Sequence, residues 1–392
     1  MASSLVNQTT IQLRPYPMEE LAKIRTGLQE QGKPIYDFGT GDPRIPLWPK
    51  LNEALKSALT EVSQYPGAKG SAELVESFYL YLKRRFGIEK SSDLDVMATR
   101  GSKEAVFHTA LSIAGRGGKN TIIYPDPGYP VYHSSALFAG AKPFPVRLAE
   151  EKGYRLEPWE LPSDVQKDAA AIWVNYPHNP TGAEVGEAYW LKLIDWAHKQ
   201  DCLILSDDCY VDIYDSALKD NLPKTPLVYS TDRVVAFFSL SKRSGMTGFR
   251  SGFMAGDARF MNLHARARAN MGVGTPAFIQ AAAQAAWSDE NHVAERRAVF
   301  SRRIAAAYPN LKELGLLDEA PTAAFYLWCR VPGKFRGDDL KFCLDLAERG
   351  VITSPSRWLS MDTKGYFRMA LVPSEEDTKI ALDILTKFIE ES

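Results

Sequence analysis

Cysteine is scarce in this 392-residue chain, with four residues at Cys202, Cys209, Cys329 and Cys343. None forms a Cys-x-x-Cys pair or a Cys/His cluster of zinc spacing, so neither a disulfide framework nor a metal site is expected. Neither sign of charge dominates: 47 Lys and Arg against 48 Asp and Glu leave a net charge of -1. Nucleic acid or an anionic membrane would call for a basic excess, so neither partner is expected. No run of eighteen apolar residues occurs, which argues against a membrane span. The N-terminal segment lacks a basic stretch followed by an apolar one and does not read as a signal peptide, which fits a cytoplasmic protein. Internal repeats and low-complexity tracts are absent too.

Apolar residues make up 45% and charged residues 24%, values of a globular protein, and the length suggests two lobes. The middle of the chain alternates short β-branched runs with amphipathic stretches. Strands are expected at Asp95–Thr99, Thr121–Tyr124, Ala171–Asn175, Cys202–Ser206 and Val234–Phe238. Helices are expected between them, as at Glu104–Ala114 and Tyr189–Lys199. This alternation points to an α/β fold with a mostly parallel sheet covered on both faces. From about Ser288 the pattern changes to a charged helix, an apolar run Ala323–Arg330, a helix near Asp338–Arg349 and a closing helix from Ser374. The expected division is an arm over 1–45 that shares in the small domain, a large domain over 46–287 and a small α+β domain over 288–392.

Ligands of open parallel sheets sit beyond the carboxyl ends of the strands. Those ends carry Gly101-Ser102-Lys103, Tyr129, Asn179 in Asn-Pro-Thr-Gly, Asp207 with Tyr210, and Ser239 with Ser241 and Lys242, with Arg250 eight residues on. Gly101-Ser102-Lys103 opens a helix, where free N–H groups favour a phosphate. Ser239, Ser241 and Arg250 add hydroxyls and a cationic fork. Tyr129 offers a face for a planar ring. Asp207 suits a protonated ring nitrogen, Asn179 and Tyr210 a ring oxygen, and Lys242 an imine and then a base. Taken singly, each has an ordinary structural reading: a capped helix, a turn, a strand-end cap, a solvated lysine. Their joint occurrence, each at a strand end, carries the reading. The Gly-x-Gly-x-x-Gly of a nicotinamide dehydrogenase is missing after the first strand.

With these residues in this order, the chain resembles the class I/II aminotransferases, the fold-type I enzymes of pyridoxal 5′-phosphate. The resemblance runs from about Arg14 to the last helix. It implies a large domain with a mixed, mostly parallel seven-stranded sheet and a smaller α+β domain. Ser239-Leu240-Ser241-Lys242 with Arg250 matches the Schiff-base motif, so Lys242 is implied as the catalytic lysine. Asn179, Asp207, Tyr210 and Tyr129 match the residues around the cofactor ring. Tyr65 in Tyr-Pro-Gly-Ala-Lys-Gly matches a tyrosine that reaches the phosphate of a neighbouring subunit, which implies a homodimer. Gly39-Thr40-Gly41-Asp42-Pro43 matches a loop that closes over the substrate, with Thr40 and Gly41 as contacts. Arg368 matches the arginine that grips the substrate carboxylate.

The resemblance implies ping-pong transfer of an amino group between an amino acid and a 2-oxo acid, with glutamate and 2-oxoglutarate as one pair. Three stretches are similar to the N-succinyl-L,L-diaminopimelate aminotransferases of lysine biosynthesis: Leu13–Pro17 leading to Phe38–Pro43, Ser239–Ser244, and Ala286–Val293. Ala269–Gly272 and Ser356–Trp358 depart from that subgroup. Asn270 instead is similar to the direct L,L-diaminopimelate enzymes and is a candidate substrate contact. Arg357 is a weaker one, with a solvated arginine as its ordinary reading. The alternatives are an aspartate or broad-specificity aminotransferase and a C–S β-lyase of the same fold. A regulator with an added DNA-binding domain is disfavoured, since no basic helix precedes Arg14.

Overall fold

The computed structural model describes residues 5–335 and 337–391. Its main sheet has seven strands: β1 (Leu94–Thr99), β2 (Thr121–Asp126), β3 (Lys142–Arg147), β4 (Ala169–Val174), β5 (Leu203–Asp207), β6 (Val234–Ser239) and β7 (Gly252–Asp257). Their spatial order is β1-β7-β6-β5-β4-β2-β3, and only β7 runs antiparallel. The five expected strands are all present within two residues of their expected ends.

The central strands are apolar at consecutive positions because both faces of the sheet are covered. Val234, Ala236 and Phe238 of β6 face one core cluster, and Val235 and Phe237 face the other. In β4, Ile172 and Val174 oppose Ala171 and Trp173 in the same way. Each large side chain so buried contributes about 1.5–3 kcal/mol. The first face is closed by helix Ala72–Phe86, capped by Ser71, whose hydroxyl accepts from the N–H of Leu74 (3.2 Å), and ended by Gly87 at φ 71°. Its Leu74, Phe78 and Leu82, four residues apart, line one stripe into the core. Phe78 stacks on Phe253 of β7 at 4.0 Å.

Two strands escaped the sequence pattern. β3 (Lys-Pro-Phe-Pro-Val-Arg) contains two prolines and pairs only with β2. An edge strand tolerates proline because the missing N–H can face away from the ladder. β7 (Gly-Phe-Met-Ala-Gly-Asp) reads as weak because of its glycines. A Cβ at Gly256 would collide with the backbone carbonyl of Val234, and one at Gly252 with that of Phe238, so this buried strand needs glycine. The expected helix from Glu104 spans Ser102–Thr109 and then tightens to a 3₁₀ turn, Ala110–Ser112.

The smaller unit holds a three-stranded antiparallel sheet, Tyr326–Arg330 and Ser354–Pro355 flanking Tyr366–Ala370. Helices Asn291–Glu313, Asp339–Glu348 and Glu375–Glu391 cover it, with Leu311, Phe342, Leu346, Leu385 and Phe388 in one core. The N-terminal segment joins this unit. Tyr36–Asp37 pairs in parallel with Val351–Ile352, and Phe38 is fully buried in the same core. That pairing delivers the loop 39–43 to the edge of the main sheet.

Candidate active site

The carboxyl ends of the parallel strands open on a cavity of about 500 Å³. Its wall includes Thr40, Gly41, Ser102, Lys103, Tyr129, Asn179, Asp207, Tyr210, Ser239, Ser241, Lys242, Arg250 and Arg368. Thirteen of the sixteen expected site residues therefore meet in one place, drawn from six loops and both units.

Asp207 closes β5 and is buried. Tyr132 donates its hydroxyl to Oδ2 at 2.8 Å, and Tyr132 itself stacks on Trp173. Oδ1 has no hydrogen bond. Cys209 lies beside it, but that thiol donates to the Ser102 hydroxyl (3.0 Å). Burial pushes the Asp207 carboxyl up. A carboxylate in such a place needs a cationic or N–H partner from the cavity side. A protonated ring nitrogen is such a partner, so the site fits a pyridine cofactor. Burial also pushes the Cys209 thiol up, so it stays a thiol and not a nucleophile.

Lys242 lies in the turn of helix that follows β6, and its Nζ donates to the Gly41 carbonyl. Ser239 caps that turn, accepting from the N–H of Ser241 at 3.1 Å. Arg250 holds φ 55°, rare for a side chain with a Cβ, and donates to the Thr247 carbonyl at 2.8 Å. Gly101 sits at φ 78° at the head of helix Ser102–Thr109. A Cβ there would lie 2.5 Å from the Arg250 guanidinium, so glycine keeps that cation in the cup.

Arg368 is buried on its strand. It donates to the Asn179 side-chain oxygen (3.0 Å) and to the Gly39 carbonyl (2.7 Å), and lies 4.5 Å from the Tyr326 ring centre. Asn179 is fixed through Asn175, whose side-chain oxygen accepts from its N–H and whose amide donates to the Asp207 carbonyl. Tyr210 shares a 2.8 Å hydrogen bond with Tyr326, and burial pushes its hydroxyl up, so it keeps its proton and can donate. The Thr40 hydroxyl is already held by Asp37 and Arg25. Lys103 lies over the Tyr16 ring at 4.0 Å.

Tyr16, Tyr132, Asn175 and Tyr326 are parts of this site that the sequence reading passed over. Asn175 lies four residues before Asn179 and Tyr132 three after Tyr129, but spacing alone assigns neither a role. Tyr326 lay unmarked inside an apolar run.

Three of the expected residues do not line the cavity. Tyr65 is 104% exposed and touches nothing of its own site. Asn270 does not enter: its amide donates to the Arg266 carbonyl at 2.9 Å and caps its own helix. Gly101 acts from behind the wall. Arg357 is engaged by Asp339 (2.7 Å) and Asp338 (2.9 Å).

Beside Asp207, burial pushes the Asp208 carboxyl up to about 8. An unfolded aspartate releases its proton near pH ~4. Between about pH 4 and 8 the folded chain therefore holds a proton that the unfolded chain lacks, and stability falls as pH rises. Asp208→Asn is expected to raise the melting temperature, more at pH 8 than at pH 5. Melts at the two values check this, and equal shifts would contradict it.

Residues 33–385 match the family Aminotransferase class I and II. The chain belongs to the class I and II aminotransferases. These enzymes work with pyridoxal 5′-phosphate, and the chain is an aminotransferase dependent on it. The LL-diaminopimelate aminotransferase of Syntrophobacter fumaroxidans is 31% identical over 378 residues, 96% of each chain. That of Aquifex aeolicus is 33% identical over 368 residues, 93% of this chain and 94% of its own. The fold is shared with a "probable N-succinyldiaminopimelate aminotransferase" from Thermus thermophilus, at TM-score 0.85 and 26% identity, covering 94% of this chain and 99% of that one. No described helix is long and apolar enough to cross a membrane. Among the described residues no metal-binding cluster occurs.

Proposed function

We propose that this aminotransferase takes diaminopimelate, free or N-succinylated, and exchanges its amino group with 2-oxoglutarate. The relatives named above support the substrate class. One observation carries the assignment of the site: Asp207, buried with one oxygen free, shares its cavity with the Lys242 amine and Arg368.

In this reading Lys242 holds the cofactor through its amine. The same amine, when free, would take the proton from the substrate Cα. Asp207 would accept a hydrogen bond from the ring N–H and keep that nitrogen charged. Tyr210 and Asn179 would donate to the ring oxygen, and Tyr129 would offer its face to the ring. Ser102, Ser239, Ser241, Arg250 and the head of the 102–109 helix would hold the phosphate, with Lys103 alongside. Arg368 grips the α-carboxylate as a two-pronged donor, and Asn179 and the 39–43 loop orient it. When bound, the cofactor supplies an electron sink for the pair left at Cα.

Two further points belong to the same proposal. The chain divides at about 45 and 287 into arm, large and small domains, with the arm built into the small one. The enzyme works as a homodimer in the cytoplasm. The exposed Tyr65, with exposed Leu59 and Val62 close by in sequence, supports a partner surface on which Tyr65 reaches the second cavity. Four free cysteines support a reducing compartment.

Steady-state kinetics with a panel of amino donors and 2-oxoglutarate test the substrate. L,L-diaminopimelate or its N-succinyl form is expected to give the highest kcat/KM. A higher value for aspartate would overturn the assignment.

A further inference from the structure

A second cavity, of about 560 Å³, adjoins the active site. The two cavities share Tyr16, Pro17, Tyr129, Pro130 and Leu359 as lining. Its other walls come from the N-terminal arm, the loop after β2 and the segment around 357–361, with apolar Leu340 and Leu344.

Six ionisable or charged side chains line it besides the tyrosines, and five are occupied. Glu20 pairs with Lys23 at 2.8 Å. Asp126 accepts from the backbone N–H groups of Met361 (2.9 Å) and Asp362 (3.3 Å). Arg357 is held by Asp338 and Asp339. His133 shares a 2.8 Å hydrogen bond with the Tyr124 hydroxyl. Arg14 alone has no hydrogen bond or ion pair among the described residues. Its charge reaches the cavity interior: His133 is pushed down by burial first and then by Arg14.

We propose that this cavity receives the far end of the amino-acid substrate and that Arg14 binds a carboxylate there. The inference rests on the reading of a long, doubly carboxylated substrate, and it adds where the second carboxylate goes. A largely apolar chamber that adjoins the reaction cavity suits a methylene chain. A guanidinium left without a partner at its rim suits the carboxylate beyond that chain. Arg368 then fixes the near carboxylate and Arg14 the far one. The Arg357 site, already filled by two aspartates, takes no part.

The test uses the holoenzyme and the second-order rate constant of the amino-donor half-reaction. The donors are L,L-diaminopimelate, its N-succinyl derivative and L-norleucine, which ends in a methyl group. Arg14→Gln is expected to lower the constant about tenfold for the two carboxylate-ended donors and less than about twofold for norleucine. Arg14→Lys is expected to recover part of the loss. Leu344→Trp, which narrows the chamber away from the reacting atoms, is expected to slow the long donors and leave L-alanine unchanged. An equal loss for norleucine, or no loss for any donor, would overturn the role of Arg14. If the wild-type enzyme prefers norleucine to both diaminopimelate donors, the substrate reading fails too, and the two failures are told apart.

Discussion

A Lys242→Ala enzyme is expected to lose kcat by about 10⁴-fold or more, because one amine serves as both covalent anchor and proton carrier. The absorbance of lysine-bound cofactor should vanish with it. The geometry explains why no neighbour substitutes. Lys242 points into the cavity from a single turn of helix fixed by the Ser239 cap, and its amine already lies against the loop that carries Gly41. Lys103, the other lysine lining the cavity, lies over the Tyr16 ring. The Tyr132–Asp207 contact does not involve Lys242, so the variant should keep its fold and still bind added cofactor reversibly. Spectra and kinetics of the purified variant check this. Residual turnover within tenfold of wild type would remove Lys242 from the reaction.

The second large effect is expected at Asp207. Asp207→Asn keeps the shape and the Tyr132 neighbour but removes the charge opposite the ring nitrogen. Since burial already pushes this carboxyl up, its ionised form depends on a cation across the cavity. The dependence is mutual, and without the carboxylate the ring nitrogen loses its proton and the electron sink weakens. A fall in kcat on the order of 10³-fold is expected, with a much smaller change in KM. Asp207→Glu should recover part of it. A variant that lost affinity for substrate but not kcat would assign Asp207 to binding instead.

Much of this site was legible because parallel sheets put functional groups at strand ends, and β-branched runs mark those ends clearly. Lys242, Asp207 and Asn179 each follow such a run. What was not legible came from side chains whose role depends on a distant partner. Tyr326 matters through Tyr210 and Arg368, which are 116 and 42 positions away, and nothing local marks it. Tyr132 matters through Asp207, 75 positions away. Asn270 was marked by a local resemblance, and within one chain its amide donates to the Arg266 carbonyl. The strands β3 and β7 hid behind proline and glycine, which disfavour strands in general. An edge position and a close backbone approach call for them here.

The central claim is that Lys242 and its neighbours move an amino group and keep it on the cofactor. A half-reaction tests this most directly. Holoenzyme is mixed with L-glutamate in the absence of any 2-oxo acid, and both the spectrum and the product are followed. The prediction is conversion of the cofactor to its amine form with one 2-oxoglutarate released per Lys242, restored by adding a 2-oxo acid. A spectrum unchanged by glutamate, L,L-diaminopimelate and its N-succinyl form, with steady pyruvate and ammonia from a β-substituted amino acid, would contradict the account.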